Sequence, residues 1–221
     1  MSDPAAPGPA PVEAAPDPPA EAAAVFGPRL PAAEHYVRML AGPGVARGLL
    51  GPREVPRLWT RHVLNCAAVA DLVPRPSSLV DLGSGAGLPG IVLALLLADV
   101  DVTLLERMER RAAFLSQCVA ELDLGNARVC RATAEEVAGQ FAADVVTARA
   151  VAPLDRLAGL AAGLVRPGGL ILAVKGAAAD QEVAKAKPVL RRLGMREVAV
   201  VRVGDGKVDR AATVVRLVAG R

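Results

Sequence analysis

The sequence predicts an α/β protein: a mostly parallel sheet covered by helices on both faces, preceded by a helical cap and finished by an antiparallel pair of strands. Three observations predict it. After Pro74 and Pro76, short β-branched runs alternate with helical patterns across Gly or Asp turns, as parallel strands joined by helices require. Near the end of the chain, two apolar runs flank Gly204-Asp205-Gly206, a connection so short that the strands it joins must run antiparallel. The 221 residues, 52% apolar and 22% charged, suit one globular domain with a little to spare.

Residues 1–24 contain 16 Pro and Ala, with no apolar periodicity and little to bury, and are expected to form a disordered or transiently extended tail. Residues 25–76 read as the cap. Two short helical patches fit between Leu30 and Leu50, broken at Gly42-Pro43-Gly44, and a clearer helix fits Pro56 to Leu72. On it, Val55, Leu58, Trp59, His62, Cys66 and Val69 share one face. Residues 77–221 form the sheet domain. Strands are expected at Ser78–Leu82, Asp101–Leu105, Ala127–Arg131, Asp144–Thr147, Leu170–Val174, Arg196–Val203 and Ala211–Val218. Helices fit Leu88–Ala98, Met108–Leu124, Leu154–Leu164 and Gln181–Leu193, with a short turn near Ala134. In the second, Arg111, Leu115, Cys118 and Leu122 line one face, Arg111 by snorkelling, and Gly125-Asn126 supplies the stop.

Composition excludes several classes. Three cysteines, Cys66, Cys118 and Cys130, are an odd number with no Cys-x-x-Cys pair, so a reduced, cytosolic protein is expected rather than a disulfide framework. Two histidines, His35 and His62, have no second ligand at metal-binding spacing, and no metal is expected. The aliphatic run Ile91–Ala98 is far short of the roughly 20 residues of a membrane span, and the amino terminus lacks the basic region of a signal peptide. The formal charge of +3 conceals an asymmetry: the first 24 residues hold four acids and no base, so the remainder carries 26 bases and 19 acids, a net +7. A basic body suits a polyanionic partner. Five aromatic rings in all cannot build a base-stacking platform for single strands.

The strongest local signal is Leu79-Val80-Asp81-Leu82-Gly83-Ser84-Gly85-Ala86-Gly87-Leu88-Pro89-Gly90, a strand running into a glycine-rich turn and then a helix. Glycines there let backbone approach a ligand closely. Gly85, Gly87 and Gly90 formally match Gly-x-Gly-x-x-Gly, so a nicotinamide dinucleotide is one reading. Against it, the match begins two residues beyond the strand's natural end at Gly83, and Asp81 would repel a pyrophosphate where a cationic sulfonium would welcome it. Glu106 closes the next strand, 21 residues after Gly85, placed to accept hydrogen bonds from both ribose hydroxyls of an adenosyl group. An antiparallel end also differs from the dinucleotide fold, whose helical crossover keeps the last strand parallel.

The run from Val80 to Gly90, with Arg61-His62-Val63-Leu64-Asn65 upstream, resembles the bacterial small-subunit ribosomal RNA guanine-N7 methyltransferases (RsmG, also called GidB). Further matches follow in order: Leu104-Leu105-Glu106, Arg110-Arg111-Ala112-Ala113-Phe114-Leu115, Ala134-Glu135-Glu136, Thr147-Ala148-Arg149-Ala150 and Val174-Lys175-Gly176. They span roughly Gly48 to Val218. The resemblance implies the S-adenosylmethionine-dependent methyltransferase (Rossmann-like) fold, a mostly parallel seven-stranded sheet with an antiparallel terminal strand. It implies S-adenosylmethionine as cofactor, with Gly83 and Leu88 lining it, Glu106 holding its ribose, Ala134 and Glu135 flanking its adenine, and Arg149 beside cofactor and acceptor. Asp81, Gly85 and Gly87 complete the expected cofactor site. The implied partner is small-subunit (16S) ribosomal RNA or the ribosomal subunit, met by a monomer with no membrane. The chain departs from the family at Asn65 and Glu106, where Asp is usual, and at Gly48-Leu49-Leu50-Gly51, where the family has Asn-Leu-Thr.

The chemistry asks little of the side chains. Guanine N7 offers a lone pair with no proton to remove, so attack on a sulfonium methyl needs alignment and no general base. Alignment alone contributes on the order of 7 to 11 kcal/mol in well-oriented systems. Other methyl transfers predict residues absent here: a positioned cysteine for pyrimidine C5, or Asn-Pro-Pro-Tyr where this chain has Thr147-Ala148-Arg149-Ala150. Arg149 and Lys175 follow the fourth and fifth strands at the edge where open sheets build their sites, and either is expected to contact guanine O6 or a neighbouring phosphate. His62 reads as a hydrogen-bonded core histidine, with Arg61 beside it free to touch RNA. The basic stretches Arg107, Arg110, Arg111 and Lys185, Lys187, Arg191, Arg192, Arg196 suit a solvated face or RNA contact. Two other readings stand beside the methyltransferase: a non-catalytic RNA-binding or ribosome-assembly module, and an NAD(P)-dependent oxidoreductase.

Overall fold

The computed structural model describes residues 14–220. Helices α1 (Ala20–Phe26), α2 (Leu30–Met39) and α3 (Leu64–Ala67) belong to the cap. The sheet domain follows as β1 (Ser77–Leu82), α4 (Gly90–Leu96), β2 (Val100–Leu105), α5 (Glu109–Glu121), β3 (Ala127–Cys130), β4 (Ala143–Arg149), α6 (Leu154–Ala162), β5 (Val165–Lys175), α7 (Ala179–Arg192), β6 (Arg196–Val203) and β7 (Ala212–Val218). The strands form one sheet in the order β3-β2-β1-β4-β5-β7-β6. Only β7 opposes its neighbours, slotting between β5 and β6. That arrangement is the antiparallel end predicted from the Gly204 turn, and it separates this sheet from the nicotinamide fold.

Strand alternation divides the core. Leu79, Val102, Leu104 and Val145 face α4, α5 and the cap. Val80, Leu82, Val146, Ala148 and Ile171 face α6 and α7. Parallel strands buried on both faces need continuous apolar runs, which is how they read in the sequence.

The cap departs from expectation in three places. Helix α1 and the extended residues before it lie within the stretch read as a tail. Alanines favour helix, and Phe26 packs edge-on against Trp59, 6.2 Å between ring centres, while Trp59 Nε1 donates to the Pro16 carbonyl at 3.0 Å. The first 13 residues of that expected tail lie outside the described ones. Second, α2 is not broken at Gly42-Pro43-Gly44 but continues into a wide π turn over Leu40–Gly44. Pro43 lacks an N–H and crowds the preceding turn, which a wider turn accommodates. Third, Pro56–Leu72 is no regular helix: a 3₁₀ turn over Pro52–Arg57, a π turn over Leu58–Val63, α3 and a 3₁₀ turn over Ala68–Leu72 follow one another. Its expected face still packs, with Val55, Leu58, Trp59, His62, Cys66 and Val69 all buried.

Candidate cofactor and acceptor site

A cleft of ≈ 400 Å³ opens at the carboxyl edge of the sheet, over the ends of β1, β2, β3 and β4. Gly83, Glu106, Ala134 and Glu135, four of the residues singled out in the sequence, line it together with the loop Ala150-Val151-Ala152. Arg107, Arg111 and Arg156 supply cationic groups there.

The glycine turn has the backbone that its sequence requires. Gly83, Gly85 and Gly87 all lie at positive φ, +67°, +60° and +97°, where a side chain is strained. A Cβ on Gly83 would sit 2.9 Å from Val151 Cγ2, and one on Gly87 2.5 Å from Ile91 Cγ1 and 2.9 Å from the Tyr36 hydroxyl. Gly83 therefore faces the cleft, whereas Gly87 and Leu88 are packing positions behind it, outside the lining. Gly85 acts through its N–H, which donates to Glu106 Oε2 at 3.0 Å.

Glu106 is almost fully buried, and its other oxygen accepts from the Met108 N–H at 2.8 Å. Both oxygens keep a lone pair for a ligand hydroxyl, so one carboxylate ties β2 to the glycine turn and offers acceptors to the cleft. Arg111 Nη1 lies 3.9 Å from Glu106 Oε2. Its Nε is the one buried side-chain polar atom without a partner among the described residues. Across the cleft, Thr133 and Glu136 form a capping box: the Thr133 N–H donates to Glu136 Oε2 at 2.7 Å, and the Glu136 N–H to Thr133 Oγ1 at 3.2 Å. That box presents Ala134 and Glu135. An adenosyl group fits this set: bare backbone at Gly83, an acceptor pair at Glu106, an apolar wall from Leu105, Ala134 and Leu160, and a spare donor at Arg111.

Asp81 does not meet the cofactor's charge. Alternation along β1 turns it away from the cleft to the α4 face, fully buried. Oδ2 accepts from Ser84 Oγ at 2.6 Å and the Gly90 N–H at 3.0 Å, and Oδ1 from Thr147 Oγ1 at 3.1 Å. The carboxylate thus braces both ends of the glycine turn and caps the start of α4. Burial pushes its pKa up to about 6 against the lowering effect of these donors. Tyr36, which the sequence did not mark, backs the same turn from the cap: its buried hydroxyl donates to the Ala86 carbonyl at 2.8 Å.

Arg149 and Lys175 lie where the sequence places them, at the ends of β4 and β5, but neither side chain lines the cleft. Arg149 turns to the cap, with Nη2 2.8 Å from His62 Nδ1 and 3.2 Å from the Arg61 carbonyl, and Nη1 3.5 Å from Cys66 Sγ. Strand alternation is again the cause, since Arg149 shares the face of Asp81 and Thr147. Lys175 Nζ donates to the Ala152 carbonyl at 2.9 Å and to Glu182 Oε2 at 2.7 Å. Glu182 also accepts from the Leu154 N–H at 3.1 Å. Lys175 therefore holds the Ala150–Ala152 loop to α7. Glu54 and Glu182, the partners of His62 and Lys175, carry no motif that singles them out.

The family model for rRNA small subunit methyltransferase G (GidB) matches residues 29–211. The chain belongs to that family. A curated relative of the same name from Thermobifida fusca is 55% identical over 193 residues, covering 87% of this chain and 81% of its own. Another from Streptomyces avermitilis is 52% identical over 211 residues, 94% and 89% of the two chains. The chain also shares its fold with solved methyltransferases. An O-methyltransferase from Thermotoga maritima aligns at TM-score 0.52, 16% identical, over 71% of this chain and 64% of that one. A predicted O-methyltransferase from Agrobacterium tumefaciens aligns at 0.53, 21% identical, over 72% and 81%. The chain is thus a small-subunit ribosomal RNA methyltransferase that uses S-adenosylmethionine. Asn65, where the family pattern has Asp, donates from Nδ2 to the Arg210 and Ala211 carbonyls at 3.3 Å each and ties the cap to the start of β7.

Proposed function

We propose that this chain, acting as a cytoplasmic monomer, transfers the methyl group of S-adenosylmethionine to N7 of one guanine in small-subunit (16S) ribosomal RNA without a general base. When bound, S-adenosylmethionine supplies a methyl carbon on a sulfonium sulfur, open to a lone pair. Gly83 would offer it close backbone approach, Glu106 would accept its ribose hydroxyls, and Ala134 with Leu105 and Leu160 would enclose its base. The carrying observation is the loop opposite Gly83. Ala150, Val151 and Ala152 line the cleft across from Gly83, the side this reading assigns to the acceptor, and none of their side chains can take or give a proton. Such a site suits a nucleophile that arrives with a free lone pair and leaves with no proton to shed, as guanine N7 does. The chain's task is to hold that lone pair in line with the methyl carbon and sulfur and to exclude water. Arg107, Arg111 and Arg156 at the cleft favour an approaching polyanion.

Mass mapping of methylated guanines in small-subunit ribosomal RNA tests the reading, in cells with and without the gene, complemented by wild type or by Gly83→Asp. One N7-methylguanine is expected to vanish on deletion and to return with wild type alone. Unchanged RNA would instead favour another acceptor or a non-catalytic assembly role.

A further inference from the structure

We propose that His62 is a positioning residue for methyl transfer: it holds the Arg149 guanidinium against the cap, and Glu54 holds His62 in the one tautomer that allows this. The inference rests on the methyl-transfer reading above. An arginine has only donors, so the 2.8 Å contact between Arg149 Nη2 and His62 Nδ1 makes Nδ1 an acceptor. A carboxylate has only acceptors, so the 2.8 Å contact between His62 Nε2 and Glu54 Oε2 places the ring's proton on Nε2. The imidazole is therefore neutral, with each nitrogen committed. Burial and the neighbouring Arg149 charge keep it below the ordinary histidine range, against the opposing pull of Glu54.

The tether bears on the reaction because of where Arg149 stands. It is the last residue of β4, and Ala150, at φ +55°, begins the loop that covers Gly83. A side chain anchored at that point sets where the loop leaves the sheet. The Arg61 carbonyl at 3.2 Å and Cys66 Sγ at 3.5 Å complete the anchor, both from the same stretch of cap. Charged and titratable groups around the ring are Arg149 from β4, Glu54 and Arg57 from the 3₁₀ turn, Arg61 beside it, and Cys66 from α3, whose thiol is pushed up to about 11 and stays neutral. Protonation would put an Nδ1–H against the guanidinium and break the anchor. Activity should therefore fall on the acid side, below the ordinary histidine pKa of about 6.5.

Two measurements test this. The chain has two histidines, so ring-nitrogen NMR can resolve His62 directly. It should show the proton on Nε2, and its pKa should rise in Arg149→Ala. A proton on Nδ1, or a pKa indifferent to Arg149, would overturn the proposal. Kinetics with small ribosomal subunits from cells lacking the gene then compare wild type, His62→Ala, His62→Asn, Arg149→Ala and the His62→Ala/Arg149→Ala double variant. His62→Ala should lower kcat by at least about tenfold, and add nothing to Arg149→Ala. His62→Asn, whose amide oxygen can accept near the place of Nδ1, should recover most of the rate and lose the acid limb of the pH profile. Multiplying losses, no rescue by Asn, or an acid limb that persists in Asn would each overturn it. A wild type inert at every pH would overturn the methyl-transfer reading and this role with it, and is distinguished by its own inactivity.

Discussion

The two halves of the cleft are built differently. At β1 and β2 the site is tied mainly through backbone amides: Glu106 accepts from the Gly85 and Met108 N–H groups, and Asp81 from the Gly90 N–H and the Ser84 hydroxyl, with Thr147 on β4 as its distant partner. At β4 and β5 the lining loop is held from behind by two long side chains that do not themselves line the cleft. Arg149 binds residues 83 to 88 positions upstream, and Lys175 joins the Ala152 loop to Glu182 on α7. In the proposed reading, the half assigned to the cofactor rests mostly on backbone hydrogen bonds, whereas the half assigned to the acceptor depends on how the cap and α7 dock. Damage to the first should weaken S-adenosylmethionine binding, and damage to the second should spare it and slow transfer to RNA.

The largest expected effect sharpens the first half of that contrast. Asp81 has a folded pKa of about 6, above its ordinary 3.8, so the folded state keeps a proton that the unfolded chain releases between about pH 4 and 6. Its contribution to stability is greatest below pH 4 and falls by about 3 kcal/mol as pH rises through that window, then stays level. Urea unfolding of wild type and Asp81→Asn from pH 4 to 7 should show their difference changing through this range and flat above it. Next, Glu106→Ala leaves the Gly85 and Met108 N–H groups without their acceptor. At about 1–3 kcal/mol for such groups, S-adenosylmethionine affinity should fall by about 100-fold by calorimetry.

Lys175→Met tests the other half. With the Ala152 carbonyl and Glu182 released, kcat toward ribosomal subunits should drop about tenfold while cofactor affinity holds within about threefold, because loop placement rather than ligand contact is lost. A collapse of cofactor binding in this variant would break the comparison. The smallest effect is Tyr36→Phe, which removes the hydroxyl bonded to the Ala86 carbonyl. Stability should fall by about 1 kcal/mol, with a several-fold rise in KM for the cofactor, since Tyr36 ties the cap directly to the glycine turn.

The same contrast explains what could be read in the sequence. Seven strands, the antiparallel end, the glycine turn and Glu106 are local or periodic features, and each appears where its pattern puts it. Residues 77–175 alternate cleanly because their strands are buried on both faces. The stretch 52–72 keeps its apolar spacing but not its helical regularity, since Pro56 cannot supply a backbone N–H and the tertiary packing of the stretch overrides propensity. Helix α1 lay hidden in an alanine- and proline-rich stretch because what orders it is a distant partner, Trp59. At the site, Asp81 was rightly singled out and wrongly aimed: residue type marked it, but the strand's pleat decides which face it serves. Arg149 and Lys175 were found at the correct edge, yet their partners His62 and Glu182 lie 87 and 7 residues away with no motif to mark them, and only the folded chain shows the pairing.

The central claim is that one ring nitrogen of one nucleotide receives the methyl. It is tested most directly by incubating the purified chain and methyl-labelled S-adenosylmethionine with small ribosomal subunits from cells lacking the gene. Digestion of the RNA to nucleosides and fragment mapping then locate the label. The account predicts a single labelled nucleoside, N7-methylguanosine, at one position and near one methyl per subunit. Label on an exocyclic amine, a ribose oxygen or a pyrimidine carbon would contradict it, as would label spread over many guanines.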